Sequence, residues 1–248
     1  MDYISNPSAF SQKRVNHLAG VTISVNYADF LEHTIHENLH FFDDFVVVTS
    51  FDDKHTQKVC NEHSVKCVKT DVFYENNQIF NKGAAINLGI AHLNFQDWIL
   101  HVDSDVVLPD NFRNMLEKAY IDKNSIWGCD RVNICSFEEW EKFAGNKKRQ
   151  HKHHFILVPE SGHELGARII HNEYGYVPPG FFQLWHKSQH QRYPSANGVA
   201  EHDDLLHALQ WRRENRKLIP SVFVYHLESE KCQMGANWKG RKTKKFGR

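Results

Sequence analysis

Residues 98–109 read WILHVDSDVVLP, and this stretch decides the fold. Trp98, Ile99, Leu100 and Val102 make a nearly unbroken apolar run, the mark of a strand covered on both faces. Such strands belong in parallel sheets flanked by helices. The run stops at Asp103, Ser104 and Asp105, which places the acids at the strand's C-terminal end. Ligands of open α/β sheets bind at that end, and two carboxylates two residues apart can face one divalent cation. A strand-ending turn that merely uses Asp is the plainer alternative, so the neighbouring segments have to decide.

Upstream, residues 80–93 (FNKGAAINLGIAHL) carry Ala84, Ala85, Leu88, Ala91 and His92 on one side of a helix, with small residues that permit close packing. Earlier still, 21–25 (VTISV), 45–48 (FVVV) and 65–68 read as short strands. The helices between them are expected over 30–39, with Asp29 as N-cap, and over 54–62. Downstream, a helix is expected over 112–120 and a strand over 125–129. Strand alternating with helix in this way gives a Rossmann-like, mostly parallel sheet flanked by helices. Residues 136–172 break the rhythm and read as an inserted acceptor-side region. An aromatic strand within 176–185, a helix over 201–213 and a strand over 221–226 follow. One domain is expected, with a first half at about 21–130, a second half at about 131–235 and a basic tail at 236–248.

Thirty basic and thirty acidic side chains cancel, so no global field draws in a polyanion. The charge is nevertheless local: 147–154 (KKRQHKHH) and 238–248 (WKGRKTKKFGR) are basic blocks suited to phosphate, or else a solvated loop and tail. Five cysteines without CxxC spacing favour reduced thiols over a disulfide framework or a zinc site. No run approaches a signal peptide core or a membrane span. A cytoplasmic monomer is expected.

Three further groups carry chemistry. Glu201, Asp203 and Asp204 crowd the start of a helix, where the dipole welcomes negative charge. Three acids exceed what capping needs, and their repulsion raises at least one pKa, which suits a general base. His226 ends a β-branched strand. A lone histidine there is more often structural, but with Asp105 it makes a carboxylate and imidazole pair that fits manganese better than magnesium. His151, His153 and His154 lack further ligand partners and read as a surface block.

In sequence order, FNKGAAINLGIAHLNFQDWILHVDSD (80–105), GFFQLWH (180–186), EHDD (201–204), VYHLESEK (224–231) and NWKGR (237–241) resemble the GT-A superfamily of sugar-nucleotide glycosyltransferases. The likeness is greatest to its family-two-like and β-1,4-galactosyltransferase-like branches and runs from Val21 to Arg241, weakest over 136–172. It implies that Asp105 and His226 bind the metal and that Asp103 approaches both the metal and the ribose. Phe80 and Lys82 match the segment that lies against the nucleotide base, with Lys replacing Arg and losing its planar fork. Asn26, Tyr27, Thr49 and Asp52 would hold the base, and Arg241 would meet the diphosphate. At EHDD the family's usual base position holds His202. Asp203 is therefore taken as the base, with Glu201 and Asp204 beside it.

The resemblance thus implies transfer of a hexosyl or pentosyl group from a nucleoside-diphosphate sugar, UDP-linked, with Mn2+ or Mg2+ and with inversion. The acceptor is either a saccharide or lipid-linked hydroxyl, or a hydroxymethylated base in DNA of the kind bacteriophages glycosylate. Trp185, Lys148 and Arg149 are expected on its side. A nucleotidyltransferase would need a Gly-rich phosphate loop after the first strand, which Asn26-Tyr27-Ala28-Asp29 does not supply. A binding module without catalysis would have no use for the acids.

Overall fold

A computed structural model describes residues 15–94, 97–119, 121–145, 169–171, 175–195, 200–229, 241 and 243–247. In chain order the elements are β1 (Leu18–Ile23), α1 (Ala28–Asn38), β2 (Asp44–Thr49), α2 (Lys54–Glu62), β3 (Lys66–Lys69) and α3 (Lys82–Ala91). Next come β4 (Trp98–Val102), β5 (Val106–Val107), α4 (Phe112–Lys118), β6 (Ile126–Ile134) and α5 (Phe137–Ala144). The last are β7 (Ile169–His171), β8 (Gly175–Val177), β9 (Phe182–His186), α6 (Ala200–Ala208) and β10 (Arg216–Leu227).

Eight strands form one sheet in the order β3-β2-β1-β4-β9-β6-β10-β5. β3, β2, β1 and β4 run parallel, as do β6 and β10. β9 lies antiparallel to both β4 and β6 and joins these two parallel groups. The sheet is therefore mostly parallel, as expected, and it spans strands from both halves of the chain.

β4 shows why a continuous apolar run was needed. Trp98, Leu100 and Val102 point to the core shared with α1, α2 and α4, while Ile99 faces the core shared with α3 and α6. All five β4 residues are buried. Because side chains alternate along a strand, a sheet clothed by helices on both faces leaves no polar-facing register.

Several expectations are corrected. Asp29 does not cap α1: the cap position is Tyr27, without a side-chain cap bond, and Asp29 lies in the helix's first turn. β10 is twelve residues rather than six, with a register shift between Leu218 and Phe223 where Pro220 has no N–H to give the ladder. β5 was not foreseen, since two residues carry no periodicity. Of the expected insertion, only 136–145 and 169–171 lie among the described residues. Among the described residues Cys60, Cys67, Cys129 and Cys135 form no disulfide. No helix among the described residues is long and apolar enough to cross a membrane.

Candidate active site

The Asp103-Ser104-Asp105 turn is held by α1. That helix buries Phe30, Leu31, Thr34, Ile35 and Asn38, so two polar side chains share an apolar face at i, i+4 spacing. Thr34 Oγ1 donates to the Ser104 carbonyl at 2.7 Å. Asn38 Nδ2 donates to the Val106 carbonyl at 2.7 Å, and its Oδ1 accepts from Leu108 N–H at 2.8 Å. From the other side Leu227 N–H donates to the Asp105 carbonyl at 2.8 Å. β5 then pairs with β10 so that Val106 lies opposite His226. This short antiparallel ladder brings His226 Nε2 to 3.6 Å from Asp105 Oδ2. Burial raises the Asp105 pKa against the pull of His226, and Asp105 Oδ1 is buried without a hydrogen-bond partner.

Lys82, at the start of α3, joins the turn to α6. Its Nζ donates to Asp103 Oδ1 at 2.8 Å and to Asp204 Oδ2 at 2.9 Å. Burial works to strip its proton, but the two carboxylates outweigh burial and hold it charged. Burial likewise pushes Asp103 up, and Lys82 then draws it below its ordinary value. His101 Nε2 lies 3.6 Å from Asp103 Oδ1. Burial, reinforced by Lys82, pushes His101 down to about 3, so the ring is neutral.

Asp204 responds differently to the same lysine. Burial lifts it to about 7 in spite of Lys82, with Asp103 adding to the rise. Its Oδ1 is buried and without a hydrogen-bond partner. Space for it comes from Gly180, where an added Cβ would meet Asp204 Oδ2 at 1.7 Å. Asp203 is fully buried and accepts from Gly83 N–H at 2.9 Å, docking α6 on the first turn of α3. Burial raises its pKa as well.

At the outer end of the site, Asn26 is exposed and takes a left-handed φ of 59°, which Asn tolerates better than most residues. Its N–H donates to Asp53 Oδ2 at 2.7 Å. Asp53 also caps α2 through Thr56 N–H at 3.0 Å and accepts from the Thr49 hydroxyl at 3.2 Å. Phe80 stacks on Phe73 with centroids 5.2 Å apart. Tyr27 is largely buried, with its hydroxyl 3.4 Å from Thr243 Oγ1. Burial raises its pKa, and Asp105 is close enough to add to the rise.

A family model, Glycosyl transferase family 2, matches residues 21–182, well over half of the chain. The chain belongs to glycosyl transferase family 2. Among solved structures, glucosyl-3-phosphoglycerate synthase from Mycobacterium tuberculosis, in complex with Mn2+, UDP-glucose and phosphoglyceric acid, is 12% identical with a TM-score of 0.52. The match covers 89% of this chain and 72% of that one. Mannosyl-3-phosphoglycerate synthase from Rubrobacter xylanophilus is 15% identical, covering 87% and 66%, with a TM-score of 0.48. A nucleotidyl transferase from Methanothermobacter thermautotroptrophicus is 18% identical, covering 48% of this chain and 64% of its own, with a TM-score of 0.36. No curated protein matches the sequence. At 12% identity the likeness to the glucosyl-3-phosphoglycerate synthase shows the fold alone, which is the Rossmann-like GT-A arrangement.

Within this family 2 chain, the residues singled out from sequence fall into three groups. Asp103, Asp105, Lys82, Asp203, Asp204 and His226 come together at the C-terminal ends of β4 and β10. Asn26, Tyr27, Asp52 and Phe80 follow β1 and β2 and precede α3, outside that cluster, Asn26 and Asp52 being exposed. Thr49 is fully buried and its hydroxyl is committed to Asp53, so it supports Asn26 through Asp53. Trp185 is corrected: it is 1% exposed and packed edge-on against Tyr193 and His207 in the core. Arg241 is corrected too. It gives its five N–H groups to both Asp29 oxygens, at 2.5 and 2.6 Å, and to the carbonyls of Asn26, Thr243 and Lys244, leaving none for a diphosphate. Lys148 and Arg149 lie outside the described residues, as does the Glu201 side chain.

Asp105 and His226 fit a divalent cation. Ligand atoms at roughly 2.1 Å from such an ion lie at most roughly 4.2 Å apart, and these stand at 3.6 Å. Asp103 Oδ1 accepts from Lys82, which competes with any part in holding the ion. Among the described residues no group of three or more His, Cys, Asp or Glu could hold a metal by itself. Two protein ligands suit an ion whose remaining positions go to substrate oxygens and water. Sequence reasoning missed Thr34, Asn38 and Asp53. A polar i, i+4 pair on an apolar helix face and an Asp three residues before Thr56 were the available signals.

Proposed function

We propose that this family 2 enzyme moves a hexosyl or pentosyl group from a nucleoside-diphosphate sugar, UDP-linked, to an acceptor hydroxyl with inversion. One observation supports it above the rest: a carboxylate and imidazole pair 3.6 Å apart adjoins Asp103, which Lys82 links to a buried Asp204 whose pKa is lifted to about 7. Asp105 and His226 are the residues that would hold Mn2+ or Mg2+. Bound there, the cation supplies a Lewis acid for the departing diphosphate.

Asp204 is assigned the base in place of Asp203. Asp203 has one oxygen tied to Gly83 and is fully enclosed. A base titrating near the working pH combines the right ionisation state with useful proton affinity. Lys82 steadies Asp204 on one oxygen and leaves Oδ1 to take the acceptor's proton. Asp103, charged and anchored by the same lysine, faces the ribose side, while Asn26, Tyr27, Asp52 and Phe80 form the base-binding rim. The chain would act as a cytoplasmic monomer.

The acceptor favoured is a hydroxymethylated base in DNA. Two exposed lysines, Lys244 and Lys245, stand on the segment that Arg241 pins beside Tyr27. Phosphate contacts of this kind give affinity that falls steeply with salt. The test is transfer from a panel of UDP-sugars, with and without Mn2+, to hydroxymethylated duplex and to oligosaccharide acceptors. Metal-dependent transfer that is lost in Asp105→Ala is expected. Transfer indifferent to both chelator and this substitution would overturn the reading, and transfer to oligosaccharide alone would replace the acceptor.

A further inference from the structure

We propose that Glu228 is a positioning residue for the cation site, fixing the His226 ring so that Nε2 is offered beside Asp105. This rests on the reading of Asp105 and His226 as the cation's protein ligands. His226 lies between two carboxylates, with Nε2 at 3.6 Å from Asp105 Oδ2 and Nδ1 at 3.3 Å from Glu228 Oε1, a charge contact in which Nδ1 makes no hydrogen bond. Glu228 is 8% exposed, and its N–H donates to the Ile134 carbonyl at 2.8 Å, which ties its backbone to the end of β6. Its Oε2 is buried without a hydrogen-bond partner. Among the described residues no lysine or arginine forms an ion pair with it, although burying an unpaired carboxylate is costly. Packing alone gives no reason to keep an acid there.

The imidazole supplies the reason. A neutral ring carries one N–H. If that proton were on Nε2, the Nδ1 lone pair would face the Glu228 carboxylate at 3.3 Å, two acceptors in repulsion. With the proton on Nδ1, the positive N–H edge lies toward Glu228, and the Nε2 lone pair faces Asp105 Oδ2 at 3.6 Å, a pair of acceptors that a cation between them would satisfy. A carboxylate behind a histidine in this way fixes both ring orientation and tautomer and raises the basicity of the ligating nitrogen. Strand geometry makes the arrangement cheap, because residues i and i+2 project to the same side.

The experiment measures Mn2+ binding to the full chain by electron paramagnetic resonance, without donor or acceptor, for wild type, Asp105→Ala, Glu228→Gln and Glu228→Leu. Thermal midpoints are recorded alongside. Removing such a partner weakens metal binding about 10–100-fold. The expected result is a loss in that range for Glu228→Leu and partial rescue in Glu228→Gln, which keeps an acceptor oxygen. Nitrogen-15 shifts of His226 in the metal-free protein should report Nδ1–H in wild type and a mixture of tautomers in Glu228→Leu. If Asp105→Ala loses Mn2+ while both Glu228 variants bind like wild type, the role of Glu228 is overturned and the cation site stands. If Asp105→Ala binds as well as wild type, or wild type binds no Mn2+, the underlying site falls and this proposal with it. Because Glu228→Gln preserves shape and volume, its affinity decides the matter even if Glu228→Leu does not fold.

Discussion

Replacing Asp204 with Asn removes the one carboxyl that the site lifts to about 7 while leaving its shape intact. Moving that group from its ordinary 3.8 to about 7 corresponds to a preference of about 4 kcal/mol for the protonated form in the folded chain. The folded state therefore holds this proton more tightly than the unfolded state. The resulting stability is present in full below about pH 4, declines as pH rises, and is gone above about pH 7. The amide of the variant cannot titrate. Urea unfolding from pH 4 to pH 8 should show the wild type losing about 4 kcal/mol relative to Asp204→Asn across that window. In the same variant kcat/KM should drop about 10²–10⁴-fold, the range of a lost general base, and the rise of wild-type activity through about pH 7 should vanish. Parallel stability profiles together with near-normal turnover would refute both the burial argument and the assignment of the base.

Gly180→Ala puts a methyl group 1.7 Å from Asp204 Oδ2. It should cost about 1–3 kcal/mol of stability, and kcat should suffer more than the donor KM as Asp204 leaves Lys82. Trp185→Ala should cost about 3–5 kcal/mol in urea unfolding, as a core tryptophan does. Arg241→Lys keeps the charge but loses the bidentate fork. A stability loss of about 1–3 kcal/mol without ligand is expected, whereas a diphosphate-binding arginine would weaken donor affinity and leave the free protein as stable as before.

The strands and helices that carry chemistry were legible because each imposes a pattern. β4 is apolar on both faces, α3 is rich in small residues, and the acids follow directly where the apolar run ends. What the sequence could not show is which acids meet. Asp103 and Asp105 are two residues apart, yet one is drawn to Lys82 and the other to His226, because β5 turns the chain antiparallel to β10 after two residues. The preference for Asp203 gives way to Asp204 in the proposal for a similar reason. Nothing in EHDD tells that Gly83 N–H will claim Asp203 or that Gly180 will leave room for Asp204. Trp185 misled because an aromatic beside a turn looks like a binding residue until β9 is seen between β4 and β6.

Arg241 and Asp29 are joined across 212 positions of chain. At roughly 5–20 residues per second, ribosomal synthesis separates their emergence by roughly 10–40 s. During that interval β1 to β4 can already be assembling, while Asp29 has no guanidinium and Phe246, buried against Phe30 with centroids 4.6 Å apart, has yet to arrive. The wall behind Tyr27 is thus among the late pieces of the molecule to be made. A nascent chain that has assembled β1 to β4 is still open at the face where the donor's base would rest, so competence for the nucleotide trails folding of the strands that would carry it.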